Sequence, residues 1–246
     1  HLSLRRQRQM CIRDRASFKP GDGFDGSYEA RSTDALLVIA SDGRVFSVAV
    51  SALPGGRGDG QPVTSLIDLA PGSKVAWVFA ASPDGGIVLA TSGGNGLSCL
   101  ASDWIGRNRS GKSFLTIEPD DWLLRPVLLG SEAAGNGALR FACLSSGGRL
   151  LTYPVAEVKV LRSGGRGSSL MALEAGEQLA AVEAYGSPGI LVRGTGRASK
   201  SVERTMSARE LANYEGARGK KGRLLEPRVK DGQLVRIAAA ASALDA

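Results

Sequence analysis

From about residue 35 onward, hydrophobic residues come in short leucine-rich or β-branched runs, broken at regular intervals by Gly-containing turns. Such runs predict strands joined as hairpins, because Asp-Gly and Gly-Gly supply the φ > 0 that tight turns require. One set opens each hairpin: Leu36-Leu37-Val38-Ile39, Ile87-Val88-Leu89, Leu139-Arg140-Phe141-Ala142 and Ile190-Leu191-Val192. A second set closes it: Val45-Phe46-Ser47-Val48, Leu97-Ser98-Cys99-Leu100 and Leu150-Leu151-Thr152-Tyr153. A short turn follows, at Ser51-Ala52-Leu53-Pro54 or Ser102-Asp103-Trp104-Ile105, and then a loop rich in Gly, Arg and Lys. The pattern predicts a third strand after that loop, as at Val63-Thr64-Ser65-Leu66-Ile67, and a last one at Val75-Ala76-Trp77-Val78-Phe79.

The order repeats. Gly60, Gly111, Gly167 and Gly222 mark the basic loops at intervals of 51, 56 and 55 residues. The turn glycines Gly43, Gly94, Gly148 and Gly196 are spaced by 51, 54 and 48 residues. A period near fifty residues with four short strands in each unit is the signature of a propeller-like array.

The repeat also disposes of a motif. GRNRSGKS, residues 106–113, matches the phosphate-binding formula G-x-x-x-x-G-K-[ST]. That loop works only between a buried strand and a helix whose N-terminus faces the phosphates. Here Phe114-Leu115-Thr116-Ile117 reads as a strand and Pro119 follows closely, and the three sibling loops do not match the formula. The match is accidental.

Composition narrows the chemistry further. The single histidine is His1, which removes most Ser-His, Cys-His and zinc constellations. Asp120-Asp121 reads as a solvated turn, not a catalytic dyad. Cys11, Cys99 and Cys143 are odd in number and widely spaced, which predicts buried thiols in a reducing cytoplasm. No apolar run is long enough to span a bilayer. Trp77, Trp104 and Trp122 and the four tyrosines, Tyr28, Tyr153, Tyr185 and Tyr214, read as packing residues.

The formal charge of +7 is unevenly placed: net +4 over residues 1–15, −3 over 16–192 and +7 over 193–237. A basic end on a near-neutral body is the footprint expected for a polyanion. Residues 1–15 lack the Gly-turn texture of the rest and resemble translated library-adapter sequence. They are read as a foreign or disordered basic segment, residues 16–237 as the folded domain and 238–246 as a disordered tail.

Four ordered blocks, SDGRVFSVAVSALPGGRGDGQPVTSLIDLAPG, GGNGLSCLASDWIGRNRSGKSFLTI, SSGGRLLTYPVAEV and GARGKKGRLLEP, resemble the C-terminal domain of the A subunit of bacterial DNA topoisomerase IV and, more distantly, that of the A subunit of gyrase. The likeness runs over about residues 17 to 237. It implies a β-pinwheel: an all-β, propeller-like disc of four-stranded blades that exchange strands with their neighbours, with about five blades and the first incomplete. The family's opening strands are replaced before Ser17, which implies an open edge. There is no clear copy of the long Gln-Arg-Arg-Gly-Gly-Lys-Gly box of gyrase, which favours topoisomerase IV over tight wrapping.

The resemblance further implies a non-catalytic domain that binds and bends double-stranded DNA for decatenation and relaxation. The active-site tyrosine domain, and the ATP and Mg used by the parent enzyme, belong to other parts of that enzyme, so no cofactor is expected here. The expected partners are the parent chain's N-terminal cleavage core and the ATPase subunit. The expected location is cytoplasmic and nucleoid-associated, with peripheral membrane association of the parent complex open. Basic side chains beside Gly suit phosphate contact, and the candidates are Arg57, Arg107, Arg109, Lys112, Arg162, Arg166, Arg218, Lys220, Lys221 and Arg223. The competing reading is a propeller-type scaffold that binds an acidic protein and has no DNA role.

Overall fold

The computed structural model describes residues 27–54, 61–129, 139–196 and 200–237. Residues 1–15, the tail 238–246, Arg57 and Gly60 lie outside the described residues, as do the expected opening strands of the incomplete first blade.

The repeat folds as four antiparallel sheets. Each is built on a hairpin, the first three with both strands expected from sequence and the fourth with only its opening strand expected: β1 (Ala35–Ala40) with β2 (Arg44–Ala49), β4 (Gly86–Ala90) with β5 (Asn95–Leu100), β8 (Arg140–Ser145) with β9 (Arg149–Pro154), and β12 (Ile190–Thr195) with β13 (Ser201–Met206). An inner strand from the same unit pairs with the first strand of each hairpin. These are β3 (Val75–Ala81), β7 (Val127–Leu129), β11 (Leu179–Tyr185) and β15 (Lys230–Arg236).

The outermost strand comes from the next unit. β6 (Lys112–Ser113) seats on β2, β10 (Ser168–Ser169) on β5, and β14 (Arg223–Leu224) on β9. Among the described residues three sheets are therefore four-stranded with one borrowed strand each, and the fourth, β13-β12-β15, shows three strands. This is the strand exchange of a pinwheel.

Both faces of the first three sheets are covered, which explains why β1 reads as an unbroken apolar run. Leu37 and Ile39 of β1 pack with Ile87, Leu89 and Leu97 of the second sheet. Val88 and Ala90 pack with Phe141, Cys143 and Tyr153 of the third, and Leu144 and Leu150 with Ile190 and Val192 of the fourth. Val38, Ala40 and Phe46, on the other face of sheet one, pack with Ile67, Val63, Leu66 and Leu69. That packing corrects one expectation. Val63–Ser65 is a turn of 3-10 helix, not a strand, because the segment covers the outer face of the first sheet instead of extending its edge.

A second correction concerns residues 114–117. The strand is only Lys112–Ser113; beyond it Leu115 makes an isolated parallel bridge to Gly165 of the following unit. The buried Phe114 turns inward instead, forming an aromatic cluster in which the Trp104 ring lies 5.7 Å from that of Phe114 and 5.6 Å from that of Phe79. Trp104 is core as expected, whereas Trp122 is 50 % exposed. The four inner strands converge on an axial cavity of about 290 Å³ lined by Tyr28, Trp77, Arg125, Glu183, Val235 and Arg236, among others.

Pairing also shifts one repeat marker. Thr195 pairs with Ser201 as Ile39 pairs with Val45, so Gly196 occupies the position of Ala40 and not that of Gly43.

Candidate nucleic-acid interface

The three basic loops that fall among the described residues are arches clamped at both ends on the preceding sheet. In the second unit, Gly106 N–H donates to Ser47 Oγ at 2.9 Å and the arch returns as β6 on the same strand. In the third, Ser98 N–H donates to Lys159 O and Leu161 N–H donates to Ser98 O, and the arch returns as β10. In the fourth, Gly216 N–H donates to Thr152 O at 3.0 Å before β14. Ser47, Ser98 and Thr152 occupy the same place in three hairpins, so the arches stand in equivalent positions on successive sheets.

The marker glycines make the return possible. Gly111, Gly167 and Gly222 have φ of 60°, 81° and 71°, and a Cβ on each would fall 2.3–2.5 Å from a backbone oxygen of the preceding sheet. These glycines serve close strand approach.

Neighbouring arches also hold one another. Asp68 N–H donates to Arg109 O at 2.8 Å, and Arg109 Nη2 donates to Ser65 O at 2.8 Å. Gly165 N–H donates to Phe114 O at 2.7 Å. Gly219 N–H donates to Leu170 O at 3.0 Å, and Arg218 Nη1 donates to Ser168 Oγ at 3.0 Å. The result is a continuous ridge running across consecutive sheets.

The charges on the ridge divide into two sets. Just before each marker glycine a cation pairs with an acid on the exit of the previous unit: Arg109 with Asp68 at 3.6 Å, Arg166 with Glu118 at 3.3 Å, and Lys221 with Glu174 at 3.0 Å. The Glu174 carboxyl is held below its usual range, first by the hydrogen bond from Lys221. Arg162 pairs with Asp103 at 3.1 Å. Lys112 turns back to the Asp103 carbonyl and lies 5.4 Å from the Phe114 ring centre, and no helix follows it, so the accidental phosphate motif has none of its required geometry. Arg223 donates to Asn213 O at 2.7 Å.

The second set is free. Among the described residues Arg107 and Lys220 are exposed, with no ion pair or side-chain hydrogen bond, and so is Lys159 at the entry of the third arch. One such cation thus stands on each arch. Lys159 was missed by the sequence reading because it precedes the Gly-rich cluster used as the marker. The acid latches were missed because their partners are a whole unit away.

The comparisons agree with this architecture. A family model described as the DNA gyrase C-terminal domain, beta-propeller, matches residues 34–82 and 141–184, two stretches that each run from an opening hairpin to its inner strand. Two of the repeat units thus match that family's model. The chain is 33 % identical over 183 residues to the A subunit of DNA topoisomerase 4 from Neisseria gonorrhoeae, covering 74 % of this chain and 23 % of the relative. It is 27 % identical over 211 residues to the same subunit of Escherichia coli K12, covering 85 % and 27 %. The chain thus spans about a quarter of the length of these relatives.

Two solved structures share the fold. The E. coli ParC C-terminal domain superposes with a TM-score of 0.74 at 24 % identity, over 89 % of this chain and 88 % of that one. A C-terminal domain of DNA topoisomerase IV gives 0.71 at 17 % identity, over 92 % and 71 %. Both are C-terminal domains, and the likeness to them extends over most of this chain.

Proposed function

We propose that this domain binds and bends double-stranded DNA along the arch ridge, presenting duplex to the cleavage core of a type IIA topoisomerase for decatenation and relaxation. The supporting observation is the ridge itself: three arches in equivalent positions on consecutive sheets, each carrying one exposed cation, Arg107, Lys159 or Lys220, that makes neither an ion pair nor a side-chain hydrogen bond among the described residues. Contacts repeated on successive blades suit a curved backbone path and read no sequence. The ion-paired cations Arg109, Arg162, Arg166 and Lys221 set the spacing of the arches and contribute less to affinity, since their charge is locally neutralised.

On this reading the protein partners are the parent chain's cleavage core and the ATPase subunit. The work takes place on the nucleoid in the cytoplasm. No helix among the described residues is long and apolar enough to cross a membrane.

A salt titration of duplex binding, run on linear and pre-bent DNA, tests the proposal. It expects steep salt dependence, no sequence preference and a preference for bent duplex. Binding that is insensitive to salt, or a stronger interaction with an acidic protein than with DNA, overturns it in favour of a scaffold.

A further inference from the structure

Apolar side chains scattered singly on a surface need no explanation, but one that recurs at a fixed place does. Among the described residues six large hydrophobic side chains are exposed, and two of them share a position on consecutive arches. Ile105 is 46 % exposed and Val160 62 %. Each directly precedes the residue that clamps its arch: Gly106 N–H donates to Ser47 Oγ at 2.9 Å, and Leu161 N–H to Ser98 O at 2.8 Å. The matching residue on the third arch is Glu215, since Thr152 bridges it as Ser98 bridges Val160.

Both side chains are carried on a fixed backbone. Ile105 lies between the buried Trp104, packed against Phe79 and Phe114, and the clamped Gly106. Val160 lies between Lys159 and Leu161, whose main chains are both bonded to Ser98. Each also stands beside one of the free cations: Arg107 comes two residues after Ile105, and Lys159 immediately before Val160. Glu215 differs, being paired with Arg140 at 2.7 Å, so the third arch offers charge without an apolar tip at this position.

We propose that Ile105 and Val160 pack against deoxyribose in the duplex while Arg107 and Lys159 hold the neighbouring phosphates. This rests on the DNA reading and adds to it a recognition of the sugar. Phosphate contacts alone give an affinity that salt abolishes and that does not tell deoxyribose from ribose. An apolar contact adds a part that salt leaves in place, because neither side chain carries charge or releases counterions. It also discriminates. A ribose would set its 2′-hydroxyl against Ile105 or Val160, where a polar group loses water and gains no hydrogen bond. The sugars are the same along any DNA sequence, so the contact reads the kind of nucleic acid and not its bases.

Salt titrations on a DNA duplex and on an RNA duplex of the same sequence test this, with the full chain and its Ile105→Ser/Val160→Ser variant. The double variant is expected to bind DNA roughly tenfold more weakly at every salt concentration, with the slope of log K against log salt unchanged. Its affinity for the RNA duplex is expected to equal that of wild type, and Ile105→Val/Val160→Ile to restore DNA binding. A variant line that coincides with wild type on DNA overturns the proposal and leaves the DNA reading standing. So does an equal loss on both duplexes, or a flattened slope, which would mean that the substitutions had displaced Arg107 and Lys159 instead. Failure of the wild type to bind duplex DNA in a salt-dependent way overturns both readings.

Discussion

Gly111 lies so close to Val45 that a Cβ on the glycine would stand 2.4 Å from the Val45 carbonyl oxygen, and its φ is 60°. The contact joins two units separated in sequence by more than sixty residues. The same approach at Gly167 and Gly222 makes these three loop glycines docking elements between sheets.

Gly111→Ala and Gly222→Ala are each expected to destabilise the domain by roughly 2–4 kcal/mol, combining left-handed strain with a backbone clash. For a domain of this size that corresponds to a fall in Tm of about 5–12 °C. Gly106→Ala is the control, since a Cβ there meets open space. Thermal melts of the three variants decide the matter, and equal melting temperatures refute the docking role.

The two classes of ridge cation give opposite expectations. Each phosphate contact adds roughly −0.9 to the slope of log K against log salt. Changing Arg107, Lys159 and Lys220 together to Ala is expected to flatten that slope by about 2.5 and weaken all duplex sequences alike. Removing the latch cations Arg109 and Arg166 is expected to change it by less than about 1. If the latch variants have the larger effect, the free set has been misassigned.

No nucleotide site is expected at residues 106–113. Lys112 is held by the Asp103 carbonyl and lies near the Phe114 ring, and it sits in a short strand with no helix after it. Calorimetric titration with ATP and Mg is expected to show no binding, before or after Lys112→Ala.

Burial pushes the Cys99 and Cys143 thiols up to about 12. Both therefore stay protonated and inert at neutral pH. A thiol reagent is expected to label neither in the native domain and both after denaturation. Native labelling of Cys143 at a rate near that of a free thiol would count against the packed interface between the second and third sheets.

Glu210 caps the short helix Ala208–Leu211 by accepting from Ser207, and its carboxyl is lowered to about 2, first by the Ser207 backbone N–H and then by Arg204. A depressed carboxylate adds stability that is fully present above its unfolded value of roughly 4.3 and is lost as pH falls toward about 2. Glu210→Gln is therefore expected to narrow the gap to wild type steadily between pH 5 and pH 2. A gap that does not change with pH would remove the charged cap from the account.

Much of this architecture was legible because hairpins announce themselves locally. Leu36–Ile39 and Val45–Val48 needed only their own apolar runs and the intervening Gly43. The segment 63–67 was misread because its β-branched residues have strand propensity, yet their burial against Val38 and Phe46 is served by a 3-10 turn. The candidate site was legible in location and less so in detail. Arg166 looks like any exposed arginine until Glu118, forty-eight residues upstream, is brought beside it by strand exchange. Lys159 had a faint signal: it lies eight residues before Gly167 on the same arch, without an acid in the following few residues.

The borrowed outer strand has one further consequence, for how such a molecule changes over generations. A duplicated unit inserted between two others brings its own strand for the sheet before it and offers its own hairpin edge to the sheet after it. Every junction keeps the same chemistry, so the circumference of the disc becomes a matter of copy number. The angle through which a bound polymer is turned then changes in steps of one unit, with no new interface to invent.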